Sequence, residues 1–371
     1  MADPRIERWA KTLTGYCLNV QPGHVVAITS TPLAEPLIAA VYHEVLRAGG
    51  HPVVKLQLAE LDRLLLTEGS AEQLAWLNPG DRALMEQANA TLRISASANS
   101  RALANADPAR QAIAQRTARQ LATLREQRED AGHLRWCVTL YPTPAHAQDA
   151  EMSLEELTEF IYGACFLNEA DPAAAWIALG REQQRHVDWL RGKHRVRVVG
   201  TGTDLRLSIE GRTFINSDGK RNFPSGEFFT GPVEESVEGT IRFGVPSIYN
   251  GIPVQDIQLR FEGGRVVGAS AAQGDAFLQQ MLELDAGARY VGEFAFGNNF
   301  GITRGMRNIL FDEKIGGTIH MALGRSYPET GGKNVSALHW DMVCDLRAAA
   351  GGGEVWVDDE LFLKDGKLLG A

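Results

Sequence analysis

Apolar positions along the chain change their spacing midway. In the first 150 residues, short β-branched runs alternate with stretches whose apolar residues recur every three or four positions. Residues 24–29 (HVVAIT) read as a strand, after which Ser30, Thr31 and Pro32 supply helix-start chemistry, with Pro32 or Pro36 in the first turn. Leu37, Val41, Val45 and Ala48 form a helical stripe, Gly49 and Gly50 end it, and residues 52–58 (PVVKLQL) begin a second strand. The spacing predicts a βαβ unit of a parallel sheet covered on both faces. Residues 92–97 and 136–141 continue the strand pattern, and Asp107 with Pro108 opens a helix to about Glu129.

Helical spacing then dominates from Ser153 to about Lys193, with Ser153 and Glu156 placed as a capping box. From Arg195 the period is two, in Val196 and Val198, then Leu205, Leu207 and Ile209, with turns at 200–202 and 210–211. The remainder of the chain is strand-rich, with one clear helix over 275–284. The fold class read from this pattern is α/β. An N-terminal α/β domain with a mostly parallel sheet and a helical connector spans 1–190, and a C-terminal strand-rich α+β domain spans 191–371.

Composition narrows the functions open to such a chain. Its net charge of −9 argues against binding nucleic acid or an anionic membrane, both of which need clustered Lys and Arg. Arginines 110, 116, 119, 125 and 128 share one helix with Glu126, Glu129 and Asp130, and are expected to form a solvated face. Cys17, Cys137, Cys165 and Cys344 are scattered, which fits a reducing compartment. With no apolar signal region and no run of about 18 apolar residues, a cytoplasmic protein is expected. Gly200 and Gly202 lack the third glycine of a dinucleotide fingerprint and read as a hairpin turn, and neither a P-loop nor an HExxH motif is present.

Chemistry concentrates between Glu227 and Asp341. Leu338, Trp340, Met342, Cys344 and Leu346 form one continuous apolar face, which puts His339 and Asp341 together on the other, roughly 6.5–7 Å apart at a rise of about 3.3 Å per residue. In residues 317–323, Ile319, Met321 and Leu323 face one way and Thr318, His320 and Ala322 the other, so His320 sits among small residues. Glu227 (GEFFTGP) and Glu293 (GEFAFG) each follow a glycine and adjoin phenylalanines, a setting costly for a carboxylate unless a cation is near. Glu313 is a further candidate, although Asp312 and Lys314 give it the look of a solvated loop. A single strand histidine is more often a hydrogen-bonded core residue. Two histidines, an HxD pair and several apolar-flanked acids together point to metal binding.

At these residues the sequence resembles the M29 metallopeptidases, the aminopeptidase T family. The matching runs are GEFFTGP, GEFAFGNN, DEKIGGTIHMALGRSYPE and GGKNVSALHWDM, and residues 23–54 resemble that family's opening βαβ unit. The resemblance implies a homodimeric, two-metal aminopeptidase whose C-terminal domain is catalytic. Carried onto this chain, it implies Glu227, Glu293, Glu313, His320, His339 and Asp341 as metal ligands and Tyr327 as an active-site hydroxyl. The segment between Tyr327 and His339 is shorter than expected of the thermophilic members, which bears on substrate preference. Oxygen ligands with two imidazoles suit a pair of Zn, Co, Mn or Mg ions sharing a carboxylate, for which Glu293 is chosen. A peptide's free α-amine would be drawn to the surplus carboxylates, and Tyr327 could donate to the oxyanion.

Two other readings compete. His320, His339 and Asp341 alone would make the two-histidine, one-carboxylate triad of a mononuclear iron ring-cleaving dioxygenase, and some of those enzymes resemble these peptidases in fold. Glu227 and Glu293 are superfluous for one iron. A non-enzymatic protein, with a small-molecule-binding N-terminal domain and a dimerising C-terminal half, leaves those acids unexplained.

Overall fold

The computed structural model describes residues 3–103 and 106–369, and the chain divides into two compact units. The first comprises Met1–Ala173 with Gly219–Phe223, the second Ala174–Asp218 with Pro224–Ala371. The helix Pro172–Leu190, the end of the connector that the sequence pattern places in the N-terminal domain (1–190), lies almost wholly in the second.

In the first unit the βαβ pattern becomes a five-stranded parallel sheet. Its order is His51–Leu56, Val25–Ser30, Ala90–Ser95, Arg135–Leu140 and Asn222–Phe223. Both prolines expected near the first helix are used: Pro32 opens a short 3-10 turn and Pro36 sits in the first turn of Glu35–Arg47. That helix buries Leu37, Ile38, Val41 and Val45 and ends at Gly49, whose φ of 77° is open to glycine at little cost. Ser153 and Glu156 form the reciprocal capping box.

Two expectations for this unit need correcting. The sheet is not covered on both faces at its edge, because Val53, Val54 and Leu56 of the outer strand are exposed. The arginine-bearing helix, Pro108–Asp130, does not present a solvated face throughout. Arg110 donates to the carbonyls of Leu66 and Gly69, Arg128 to those of Met85 and Ala88, and the Arg125 guanidinium lies 4.8 Å from the Trp136 ring centre. The arginines clip the helix to the C-terminal ends of Ala59–Glu68 and Pro79–Gln87, and the Thr117 hydroxyl donates to the Leu74 carbonyl of Ala71–Ala75 at 2.9 Å.

The second unit is built on two sheets. Nine strands form the larger, in which the turn at Gly202 (φ 70°) is the hairpin expected of it. The smaller, antiparallel throughout, runs His339–Asp345, Thr318–Gly324, Val291–Gly297, Glu227–Thr230 and Ile215–Ser217. Strand alternation turns Phe228, Phe294, Phe296, Ile319, Met321, Trp340, Met342 and Cys344 into one core with Val196, Val198, Leu205, Leu207, Ile241 and Phe243 of the larger sheet. The opposite face of the smaller sheet therefore carries what lies between those residues.

The four cysteines are buried and form no disulfide among the described residues, and no helix among those residues is long and apolar enough to cross a membrane.

Candidate metal centre

Pairing register brings the candidate side chains together on that second face. Ala322 pairs with both Glu293 and Asp341 of the flanking strands, and Ala295 pairs with His320. Both alanines are fully buried, and their methyl groups form a low floor over which the longer side chains lean. The glycine preceding each acid has a steric reason. Gly292 sits at a register shift, where a Cβ would fall 2.3 Å from the Gly324 and Arg325 carbonyl oxygens. Gly226 (φ 106°) would put a Cβ 2.7 Å from that of Asn299. From the helix Pro172–Leu190, buried Gln183 donates to the Glu227 carbonyl at 2.9 Å and to Asn216 Oδ1 at 2.7 Å, which fixes the strand carrying Glu227.

All six expected ligands converge. His320 Nε2 lies 3.4 Å from Glu227 Oε2 and 3.4 Å from Glu293 Oε1. His339 Nε2 lies 3.4 Å from Glu293 Oε2 and 3.6 Å from Asp341 Oδ2. Three groups of ligand atoms fall within 4.8 Å of one another: Glu227, Glu293 and His320; Glu293, His339 and Asp341; Glu313, His320 and Asp341. Charge-assisted hydrogen bonds would close to about 2.7–2.9 Å. Two ligand atoms each about 2.1 Å from a tetrahedral ion stand about 3.4 Å apart, so the spacing fits coordination better than pairing. Glu227 Oε2 and Asp341 Oδ1 are buried without a hydrogen-bond partner among the described residues. The donor set is oxygen and imidazole nitrogen, without sulfur, as hard or borderline divalent ions prefer.

The two imidazoles are held differently. His339 Nδ1 lies 2.9 Å from the Arg325 carbonyl, which can only accept, so Nδ1 keeps a proton and, once the ring is neutral, Nε2 presents its lone pair to the cluster. His320 Nδ1 has no hydrogen-bond partner among the described residues. Burial opposes charge on His339, but Asp341 and Glu293 outweigh it and push its pKa up to about 9. The His320 pKa moves up for the same reason, against its burial. Burial also opposes the Glu293 carboxylate, yet hydrogen bonds and charge from His320 and His339 hold it down at about 2. Glu227 moves the other way, its burial outweighing the help of Lys314 and His320.

The loop bearing Glu313 is where the sequence reading needs correction, because it is not solvated. Asp312 and Lys314 are buried, and Glu313 is half-buried. Lys314 Nζ lies 3.4 Å from Glu227 Oε1 and pairs with Glu313, so a fully buried ammonium stands inside the carboxylate cluster. Asp312 accepts from the Met306 N–H at 2.7 Å, and burial lifts its pKa to about 7 against the backbone donors around it. The available signal was the apolar flank of this tripeptide, Ile309, Leu310 and Phe311 before it and Ile315 after it.

Tyr327 is brought to the cluster edge, its hydroxyl 3.4 Å from His339 Nε2 and its ring against Phe229 and His339. Burial, and then the charges of Glu293 and Asp341, raise its pKa well above that of a free phenol, so it is a neutral donor at ordinary pH. The mononuclear triad of His320, His339 and Asp341 is present within the larger group, with Glu227 and Glu293 on its imidazoles.

Comparison with known proteins bears on this geometry. Residues 2–368 match the family described as thermophilic metalloprotease (M29). The chain is 30% identical to aminopeptidase 2 of Geobacillus stearothermophilus over 356 residues, covering 87% of this chain and 86% of that protein. It is 27% identical to aminopeptidase T of Thermus thermophilus over 350 residues, covering 87% and 85%. The solved structure of wild-type AmpT from Thermus thermophilus superposes with a TM-score of 0.84 at 25% identity over 99% of each chain. A 2,5-dihydroxypyridine dioxygenase from Pseudomonas putida superposes with a TM-score of 0.60 at 15% identity, over 100% of this chain and 99% of that one, a likeness of fold alone.

Proposed function

The chain belongs to the thermophilic metalloprotease (M29) family and is a metal-dependent aminopeptidase, and on that premise we propose that two divalent ions are held by Glu227, Glu293, Glu313, His320, His339 and Asp341. The observation that carries the dinuclear reading is Glu293, whose two oxygens face different imidazoles, Oε1 toward His320 and Oε2 toward His339. A carboxylate so placed is suited to bridging. Charge supports the same count. With neutral imidazoles, four carboxylates against the Lys314 ammonium leave three negative charges, which two divalent ions and one hydroxide bring to zero.

When bound, a pair of ions such as Zn, Co, Mn or Mg supplies an acidified water at neutral pH and polarisation of the scissile carbonyl. Around them the chain's own groups divide the work. Glu227 and Asp341, each with a buried oxygen that has no hydrogen-bond partner among the described residues, would hold ions to which a substrate's free α-amine can bind, and so favour a free N-terminus. Tyr327 offers its neutral hydroxyl to the oxygen that gains charge as the carbonyl is attacked. The Arg325 carbonyl keeps the His339 ring in one orientation throughout. All six ligands lie within 191–371, the part assigned to the metal-binding catalytic domain.

The test is to count ions per chain in protein purified without added metal, then assay release of the first residue from short peptides by Glu293→Ala and Asp341→Ala. We expect both variants to stay folded and to lose activity by at least about a thousandfold, and full turnover by either would reject the assignment. Activity restored by iron alone with consumption of oxygen would favour the dioxygenase reading instead. We further read the enzyme as a cytoplasmic homodimer acting on peptides, which four buried thiols and an exposed apolar edge strand support and sedimentation can check.

A further inference from the structure

One charged side chain beside the centre makes no ion pair or side-chain hydrogen bond among the described residues. Arg325 uses its backbone fully, its N–H donating to the Leu338 carbonyl at 2.8 Å and its own carbonyl accepting from His339 Nδ1 at 2.9 Å. The residue is half-buried, and its guanidinium makes no ion pair or hydrogen bond among the described residues and stands with its carbon 5.8 Å from the centre of the Tyr327 ring. Other arginines of this unit at comparable burial are engaged, Arg212 by Glu234, Arg289 by Glu283 and Arg347 by Asp345. A guanidinium that gives up part of its hydration usually recovers the loss from a carboxylate. Here the described residues provide none.

We propose that Arg325 binds a carboxylate of the substrate one or two residues beyond the bond being cut, so that the enzyme selects short peptides that end there. The inference rests on the aminopeptidase reading of the same site and adds a substrate class to it. An extended chain advances about 3.3–3.6 Å per residue, so the C-terminal carboxylate of a di- or tripeptide lies roughly 4–7 Å past the attacked carbonyl. The Arg325 guanidinium carbon lies 5.8 Å from the centre of the Tyr327 ring, whose hydroxyl is 3.4 Å from His339 Nε2, so Arg325 flanks the centre on the side that Tyr327 occupies. Charge argues the same way. With the cluster's own charge balanced by its ions, a substrate carboxylate needs a separate cation to meet it, and Lys314 is fully buried and already paired. Arg325 is the partly exposed cation at the Tyr327 edge, and its planar fork suits a carboxylate. An acidic side chain at the second position of a longer peptide would present the same group.

The experiment compares kcat/KM of the metal-loaded enzyme on di-, tri- and tetrapeptides with a free or an amidated C-terminus, and on amidated peptides carrying Glu or Gln second. In the wild type we expect the free carboxylate to be favoured by at least about tenfold in di- or tripeptides, through KM rather than kcat, with the preference fading at four residues. Arg325→Ala should bring the ratio close to one, and Arg325→Lys should restore part of it. A preference for Glu over Gln in amidated peptides that Arg325→Ala removes would identify a side chain as the source of the carboxylate. Equal use of acids and amides by the wild type, or a preference that survives Arg325→Ala, would overturn the proposal. Reduced-amide dipeptides that cannot be cleaved, with and without the carboxylate, give a calorimetric Kd that does not depend on turnover. If no peptide is cleaved yet these still bind in a carboxylate- and Arg325-dependent manner, the hydrolase reading fails and the anchor stands. If they bind without that preference, the anchor fails.

Discussion

Lys314 shows what a single buried charge does to a site made of acids. Its ammonium is fully buried, 3.4 Å from Glu227 and paired with Glu313, and it neutralises part of a cluster that would otherwise repel itself. Removing one member of a buried pair leaves the other uncompensated at a cost of about 3–5 kcal/mol. Lys314→Met should therefore destabilise the metal-free protein by that order in urea unfolding. Bound cations offset the same repulsion, so the variant should take up divalent ions more tightly than the wild type and show a larger rise in melting temperature on metal addition. An unaltered unfolding midpoint in chelator would show that Lys314 is not paired with the acids.

At the scale of elements, the site is a sheet face, and that is why much of it was legible. A strand repeats every two residues, so Leu338, Trp340, Met342, Cys344 and Leu346 announce a core face, and His339 and Asp341 must share the other. The same logic placed His320 opposite Ile319, Met321 and Leu323. Glu293 was legible only as an acid after a glycine, since the register shift that aims it depends on how closely the Gly324 and Arg325 carbonyls approach. Lys314 and Gln183 were not legible, because charge and polarity along the chain do not reveal burial by a distant element. The three helices between residues 59 and 87 were not legible because the side chains that clip them, Arg110, Thr117 and Arg128, belong to another helix. The close approach at Gly292 yields a paired prediction. Gly292→Ala puts a Cβ 2.3 Å from two backbone oxygens that cannot yield without moving the strand, and should cost about 1–3 kcal/mol and lower metal affinity through Glu293. Gly163→Ala, within the helix Leu154–Ala164 with nothing inside 4 Å, should stabilise by about 0.5–1 kcal/mol. Metal titration and urea unfolding of the two variants check this, and equal effects would refute the steric account.

For the molecule as a whole, the two units should answer pH in opposite ways. In the metal-free second unit, His339 has its pKa raised from 6.5 to about 9, so its stabilising effect is complete below about pH 6.5 and is lost as pH rises through about 9. That interval corresponds to roughly 3 kcal/mol as an upper bound. Glu293, lowered from 4.5 to about 2, contributes above about pH 4.5 and ceases to as pH falls through about 2. Metal reverses the alkaline trend, because an ion must displace the His339 proton and binds more tightly once that proton leaves. In the first unit, burial lowers the pKa of His146 below 6.5, so the unfolded chain takes up a proton that the folded unit refuses, and stability falls as pH drops through that value. Calorimetry between pH 5.5 and 9 in chelator should then show the transition of the second unit moving down in temperature as pH rises while that of the first does not. Saturating divalent metal should hold the second transition up, and the gap between metal-loaded and chelated protein should widen steadily toward pH 9. A gap that stays constant across this range would mean that His339 does not exchange its proton for a cation.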